Sequence, residues 1–240
     1  MAGAGSRPWA RVEDLVAFGR AHLPGATSLL DPATTALMQS RVLAHPQSLA
    51  KAGQGIGWML MDDDPTPVIC HPGEVRGFAA LLVLAPERGI VVAALANDGD
   101  GAAAVFGCAG EVLGELGVQM SGPGAGVTPT GPALPQSAVV GRYEAFGAEF
   151  ELVAADGTGV RLVGTETDLD GEPRPLEMAA DPIGGLLYRD RAPDSLFQII
   201  EFTPPVDGTS EHVWVGGRLF RRCGPGREVL RDRSGAGARV

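Results

Sequence analysis

The stretch that decides the fold of this chain runs from His71 to Leu84 and has the sequence HPGEVRGFAALLVL. Its first half, His71–Gly77, contains a proline and two glycines and therefore predicts a turn. Its second half, Gly77–Leu84, is a long apolar run that predicts a buried strand. A basic ring and a glycine without a side chain thus stand at the start of a strand, which is an arrangement that an acyl-transfer site requires.

The segments around this run extend an α/β pattern over residues 1–118. Helices are predicted over 11–23, from Pro32 to about Leu43 with Asp31 as N-cap, and over 102–116. Strands are predicted over 55–61, 68–71, 77–84 and 90–96, with turns at 62–65 and 86–89. Continuous apolar runs are typical of central strands that are covered on both faces. We therefore expect an α+β domain in which helices flank part of an antiparallel sheet.

A different pattern begins after a predicted linker at 119–137, in which residues 121–136 contain four Gly and four Pro. Short strands separated by turn residues are predicted over 139–146, 149–154, 160–163, 186–189, 197–202 and 212–220. Such a series predicts a small antiparallel β-barrel or sandwich over 138–224. Residues 225–240 have little to bury and are predicted to be a disordered tail.

Composition excludes several classes of partner. The net charge of −10 argues against nucleic acid, and a single lysine, Lys51, argues against a polybasic membrane patch. We identify no signal peptide and no apolar run of ~18 residues, so a cytoplasmic protein without a membrane span is expected. The three cysteines, Cys70, Cys108 and Cys223, are odd in number and widely spaced, so we expect neither a disulfide framework nor a zinc site. No cofactor is expected either.

The order of motifs in residues 3–118 resembles the serine β-lactamase and penicillin-binding-protein-like hydrolases, in their class C, esterase and D-alanyl-D-alanine peptidase branch. The matching segments are WARVEDLVAF at 9–18, LDPATTALM at 30–38, GIGW at 55–58, HPG with Gly77-Phe78 at 71–78, and PERG at 86–89 through to Asn97. The resemblance implies the C-terminal portion of a hydrolase that cleaves an ester, amide or lactam through a serine acyl-enzyme. It also implies a lipocalin-like β-domain after the linker.

The resemblance assigns roles to three residues of the third active-site motif. His71 would supply positive charge and a hydrogen-bond donor, and Gly73 would let the substrate approach the backbone closely. The backbone N–H of Glu74 would form half of the oxyanion hole. The substrate would be a small molecule or a peptide.

The sequence departs from the family pattern in three ways. The S-x-x-K and Y-x-N motifs that should precede the third motif are missing, Pro72 removes a hydroxyl and an N–H, and Glu74 places a carboxylate where a small residue is usual. Ser48-Leu49-Ala50-Lys51 spells S-x-x-K, but we interpret it as a chance match in a surface loop. We therefore expect no hydrolysis by this chain alone, and a chain carrying the missing motifs is a candidate partner.

Two alternatives stay open at this point. His71 could instead be a half-buried histidine at a strand end, bonded to a backbone carbonyl. The chain could also be a non-catalytic binding protein whose β-barrel holds a small apolar ligand or a protein partner, although small barrels are commonly filled by their own side chains. The residues that could line such a ligand site are Tyr143, Phe150, Leu152, Phe197 and Trp214.

Overall fold

The structure, a computed structural model, describes residues 9–26, 30–44, 52–61, 66–75, 77–98, 101–120, 127–167, 172–192, 199–216 and 218–226. The chain forms two compact units that part between Val127 and Thr128. The first unit combines an antiparallel sheet with helices, and the second is a closed β-barrel. The predicted fold class, α+β followed by a small antiparallel barrel, is confirmed.

In the part of the chain that the structure describes, the sheet of the first unit has six strands, and their spatial order is their order along the chain. The strands are β1 (Leu43–Ala44), β2 (Ala52–Gln54), β3 (Met59–Met61), β4 (Val68–Val75), β5 (Phe78–Ala85) and β6 (Ile90–Ala96). Each strand pairs antiparallel with the next one. Among the described residues, β6 is therefore the last strand at one edge of the sheet.

Helices cover both faces of this sheet. They are α1 (Val12–Arg20), α2 (Pro32–Met38) and α3 (Ala102–Glu115). The backbone of α1 lies so close to the sheet that a Cβ on Gly19 would be 2.6 Å from Val91 and 3.2 Å from Leu82. The start of α3 lies against Ala79 and Ala96 instead. Leu82 and Ala79 of β5 are three positions apart and therefore point to opposite faces of the sheet, because successive strand residues alternate. Helices α1 and α3 thus lie on opposite sides of the sheet. We call the α1 side face A.

The predicted N-cap of α2 is confirmed, but its predicted end is wrong. The Asp31 carboxylate accepts a hydrogen bond of 2.9 Å from the Thr34 N–H. The helix ends at Met38, not near Leu43, because the Met38 carbonyl accepts from the Ile56 N–H at 2.9 Å. The following residues then enter the edge strand β1. Helix α1 is likewise shorter than the predicted 11–23.

At two places the structure differs from the predicted elements: one predicted strand is partly a turn, and one predicted turn is largely a strand. Of the predicted strand 55–61, residues 59–61 form β3, whereas 55–58 form the turn of the hairpin between β2 and β3, which includes Gly57 at φ 75°. The predicted turn at 71–77 is largely strand, because β4 continues to Val75 and pairs with Phe78. The reversal itself contains Gly77, at φ 79°. The predicted turn at 62–65 lies outside the described residues.

Within the described residues, the barrel of the second unit has eight strands, two more than predicted. They are β7 (Gly141–Ala145), β8 (Ala148–Ala154), β9 (Val160–Thr167), β10 (Pro173–Gly184), β11 (Leu187–Asp190), β12 (Ile199–Phe202), β13 (His212–Val215) and β14 (Arg218–Gly224). The predicted strand 212–220 is two strands, and β10 was not predicted. The barrel closes because β14 pairs with β7 and β9 pairs with β10.

Three prolines concealed β10, since proline cannot donate to a strand ladder. Pro173 and Pro175 lie in the part of β10 that pairs with β9 alone. Pro182 lies in the part that pairs with β11 alone. Among the described residues, each proline therefore has a neighbouring strand on one side only, where a missing N–H can be tolerated.

The interior of the barrel is filled by side chains. Its buried core consists of Ala138, Val139, Tyr143, Ala148, Phe150, Leu152, Val160, Leu162, Ala180, Tyr188, Ile200, Phe202, Val213 and Phe220. The segment before β7, which includes the short helix α4 (Gln136–Val139), is tied to the barrel by two phenols. The Tyr143 hydroxyl donates to the Val139 carbonyl and the Tyr188 hydroxyl to the Leu134 carbonyl, both at 2.8 Å.

Other expectations concern the cysteines and the membrane. All three cysteines are free, with Cys70 buried and Cys108 and Cys223 exposed. Within the described residues, no helix is long and apolar enough to cross a membrane. The same residues contain no group of three His, Cys, Asp or Glu side chains that could hold a metal ion. The predicted tail at 225–240 lies mostly outside the described residues.

Candidate active-site strand

Strand β4 carries the third-motif residues on a segment that has one strand neighbour. β3 pairs with β4 only from Val68 to Cys70, whereas β5 pairs with β4 as far as Val75. Within the described residues, the backbone groups of His71–Val75 that point away from β5 have no strand partner. Such N–H and C=O groups can bind an extended ligand or an oxyanion.

His71 is exposed, and its ring is fixed by the hairpin between β2 and β3. Its Nδ1 lies 2.7 Å from the Gly57 carbonyl oxygen, which can only accept a hydrogen bond. Nδ1 must therefore carry a proton, so Nε2 accepts in the neutral ring and donates in the imidazolium. The alternative interpretation of His71 was a half-buried histidine bonded to a backbone carbonyl. The structure has the hydrogen bond to a carbonyl, but the His71 side chain is exposed.

Gly73 lies on β4 opposite Ala80 of β5. A Cβ built on Gly73 would meet only the Cβ of Ala80, at an ordinary contact distance of 3.8 Å. The φ angle of Gly73 does not lie in the left-handed region that favours glycine. The described fold therefore does not itself require glycine at position 73. Glycine there would serve a ligand that approaches the strand backbone closely, because it has no side chain.

Pro72 and Glu74 alternate along β4 with His71 and Gly73, so their side chains project from the opposite face of the sheet. The Glu74 side chain is exposed, opposite Ala79 of β5. Its carboxylate is thus turned away from the side that carries the His71 ring. The assignment of the Glu74 N–H to an oxyanion hole stays a prediction, as do the roles of His71 and Gly73.

An exposed apolar patch adjoins Gly73 on face A. Val75 pairs with Phe78 and Ala80 pairs with Leu95, which places these residues on the same face as Gly73. The ring of Trp9 packs edge-on against Phe78, with the centroids 5.6 Å apart. We call Trp9, Val75, Phe78 and Leu95, which are all exposed, the Phe78 patch.

Two other places are less suited to a ligand. A surface depression of about 480 Å³ is lined by Val12, Glu13, Val16, Ala17 and Arg20 of α1 and by none of the third-motif residues. In the barrel, Tyr143, Phe150 and Leu152 belong to the packed core, while Trp214 is half-buried and outside it. Phe197 lies outside the described residues. The apolar-ligand hypothesis for the barrel stays a prediction, which the filled interior disfavours.

Comparison with known proteins identifies the first unit. Residues 3–113 match the family model described as Beta-lactamase. Residues 3–113 are a β-lactamase-family region. The resemblance to this family is thereby confirmed for residues 3–113, a region that includes β4, the Phe78 patch and most of α3.

A curated relative supports the family and shows how much of it this chain spans. Penicillin-binding protein 4 of Amycolatopsis lactamdurans is 36% identical over 125 residues, which are 47% of this chain and 33% of that protein. The chain thus spans about a third of the length of this curated relative.

Two solved structures share the fold. A crystal structure of SurE with D-Leu superposes with a TM-score of 0.65 at 21% identity, covering 89% of this chain and 50% of that chain. A second SurE structure gives a TM-score of 0.60 at 20% identity, covering 89% and 48% respectively. The present chain therefore spans about half of these structures, and the coverage extends into both of its units.

Sequence reasoning missed two features of this region. The Gly57 carbonyl that holds His71 was concealed because GIGW was interpreted as a strand and not as a hairpin turn. The Phe78 patch was missed because an apolar run predicts burial and carries no signal for the part that stays uncovered. The two glycines of GIGW were the available signal for the turn.

Proposed function

We propose that this chain supplies the third-motif strand of a β-lactamase-like serine hydrolase that cleaves an ester, amide or lactam. The nucleophilic serine and its proton acceptor would come from residues outside this sequence. The observation that carries the proposal is the position of HPGE on β4, within a β-lactamase-family region, on a segment with one strand neighbour. The substrate would be a small molecule or a peptide.

The chemistry assigns each residue of the strand a separate task. The serine oxygen attacks the substrate carbonyl, and the resulting oxyanion accepts a hydrogen bond from the Glu74 N–H. The leaving group departs with a proton, and water then attacks the acyl-serine ester to release the acid and restore the serine. His71 donates from Nε2 when protonated, and Gly73 allows the acyl group to lie against the strand.

An assay of the isolated chain tests whether the nucleophile lies outside this sequence. We expect no turnover of nitrocefin or p-nitrophenyl acetate above that of the Ser48→Ala variant, because Ser48 is interpreted as a chance match. Ser48 lies outside the described residues. Turnover that disappears in Ser48→Ala would contradict the proposal, since the chain would then contain its own nucleophile.

A chimaera tests the roles on β4. Residues 3–113 would replace the matching region of the Amycolatopsis penicillin-binding protein 4, and covalent labelling by a fluorescent penicillin would be measured. We expect Gly73→Val to lower the labelling rate by about 100-fold, because a branched side chain blocks approach to the strand. Gly107→Val on α3 is the control, since a Cβ at that position would have no atom within 4 Å apart from its chain neighbours and the backbone of its own helix. Equal labelling by both variants would refute the assignment.

A further inference from the structure

Pro72 fixes the direction in which the backbone N–H of Glu74 points. Pro72 lies opposite Leu81 of β5 but has no N–H to donate to that strand. A proline is tolerated in a strand where its backbone faces an open side, and within the described residues β4 is open on the side away from β5. Backbone groups two residues apart point the same way in an antiparallel ladder. The N–H of Glu74 therefore also points to the open side, where a ligand can reach it.

The Glu74 carboxylate is exposed beside small, uncharged residues. Its strand neighbour Ala79 pairs in turn with Ala96 of β6, and Gly101 at the start of α3 packs against both alanines. None of the ion pairs between described residues includes Glu74. Residues 1–118 hold seven Lys and Arg against twelve Asp and Glu, and this net charge of −5 strengthens the negative potential around the carboxylate. The carboxylate therefore favours a cation that comes from a ligand.

One residue thus presents two groups to the same ligand. The N–H of Glu74 is the donor assigned to the oxyanion, and the carboxylate belongs to the same residue. The reach of one glutamate side chain plus one hydrogen bond places the carboxylate within about 8 Å of the substrate carbonyl oxygen. This distance does not exceed the Debye length of about 8 Å at physiological ionic strength. A negative group beside the carbonyl is therefore repelled by Glu74, and a positive group is attracted.

We propose that the Glu74 carboxylate determines substrate specificity by selecting an acyl donor with an ammonium group close to the scissile carbonyl. The ammonium pairs with the carboxylate while the carbonyl oxygen accepts from the Glu74 N–H, and it offsets the repulsion between the carboxylate and the oxyanion. The same charge disfavours acyl donors with a negative group at that place. The inference deepens the proposed function and rests on it for the position of the substrate carbonyl.

Ligand binding by the whole chain tests this charge selection without any reaction. Phenylglycinamide and phenylacetamide differ only in the amino group, which is protonated at about pH 6, and the amide NMR shifts of residues 73–75 measure the binding of each. We expect phenylglycinamide to bind about fivefold more tightly at low salt, because a surface ion pair contributes up to about this factor. Glu74→Gln should remove the difference, as should about 0.5 M NaCl. Equal affinity of the two amides for the parent chain would overturn the inference.

The chimaera with Amycolatopsis penicillin-binding protein 4 tests the same selection during acylation. Ampicillin and carbenicillin carry an ammonium and a carboxylate, respectively, on the same carbon of the acyl group, and their acylation rates follow from competition with the fluorescent penicillin. We expect the ratio of the ampicillin rate to the carbenicillin rate to fall about tenfold in Glu74→Gln and further in Glu74→Lys, because the selecting charge is removed or reversed. Glu87→Gln is the matched control, since Glu87 is also exposed but lies in the turn after the other end of β5.

The outcomes separate the inference from the proposed function. A rate ratio that is the same in the parent chimaera and in Glu74→Gln overturns the inference but leaves the proposed function intact. A folded chimaera that none of these penicillins acylates refutes the proposed function, and the binding measurement on the whole chain then decides the inference. The salt dependence of that binding needs no variant, so it tests the inference even if Glu74→Gln fails to fold. An affinity for phenylglycinamide that does not change with salt would overturn the inference.

Discussion

At the scale of single residues, two strand glycines serve different purposes. A Cβ on Gly164 of β9 would lie 2.2 Å from the Glu149 carbonyl oxygen and 2.4 Å from the Phe150 Cβ. A Cβ on Gly73 of β4 would meet only Ala80, at 3.8 Å. The barrel therefore needs glycine at 164, whereas the sheet accommodates alanine at 73.

This contrast gives a stability prediction. Gly164→Ala should lower the free energy of unfolding by about 1–3 kcal/mol, because the backbone must shift to admit the methyl group. Gly73→Ala should leave that free energy unchanged or raise it by up to about 1 kcal/mol, because alanine loses less conformational entropy. Urea unfolding of both variants measures the difference. A large loss of stability in Gly73→Ala would show that the fold itself needs this glycine.

At the scale of elements, the start of α2 depends on one carboxylate. Asp31 accepts from the Thr34 N–H at 2.9 Å and from the Thr34 hydroxyl at 2.6 Å. These hydrogen bonds, that of the hydroxyl first, hold the pKa of Asp31 below its ordinary value of 3.8. The native state therefore favours the ionised carboxylate, and the cap is at full strength when Asp31 is charged.

The resulting pH dependence follows from the lowered pKa. The contribution of Asp31 is complete above the pKa of the unfolded chain and is lost as the pH falls through the lower native pKa. Asp31→Asn keeps an acceptor but cannot titrate, so its Tm should fall less than that of the parent between about pH 5 and pH 2. Thermal unfolding across this range measures the effect. Identical pH profiles would show that the cap does not contribute in solution.

At the scale of the whole molecule, the barrel holds both tyrosines of the chain. Burial raises the pKa of Tyr143 to about 12, although the nearby Arg222 guanidinium acts in the opposite direction. Burial alone raises the pKa of Tyr188 to about 12. Because every phenol of the chain is in the barrel core, phenol ionisation reports on the integrity of the barrel.

Alkaline titration tests this packing. The native chain should show almost no tyrosinate absorbance at about pH 11, whereas the chain in guanidinium should titrate near its ordinary pKa of about 10. The stability due to both phenols is present below that value and is lost as the pH rises from about 10 towards 12. Tyrosinate at about pH 10 in the native protein would contradict a closed, filled barrel.

The two units should also differ when they are separated. The barrel has no open edge and its core lies within residues 138–220, so residues 128–226 should unfold cooperatively and bind little hydrophobic dye. Residues 1–127 should bind the dye at the Phe78 patch. Phe78→Ser should reduce that binding, and Leu219→Ser in the barrel unit is the control. Strong dye binding by the barrel unit alone would contradict the prediction.

The sequence by itself determined the family region, the α+β class, the barrel, the Asp31 cap and the candidate residues on β4. These depend on local patterns, namely apolar periodicity, capping chemistry and motif order, which neighbouring residues carry. Tertiary structure decided where strands end and turn. HPG became strand because β5 pairs along its whole length, and GIGW became a turn because β2 and β3 pair with each other. Tertiary structure also decided that Phe78 and Leu95 are exposed. Burial depends on which faces and edges other elements cover, and a local sequence pattern does not encode this coverage.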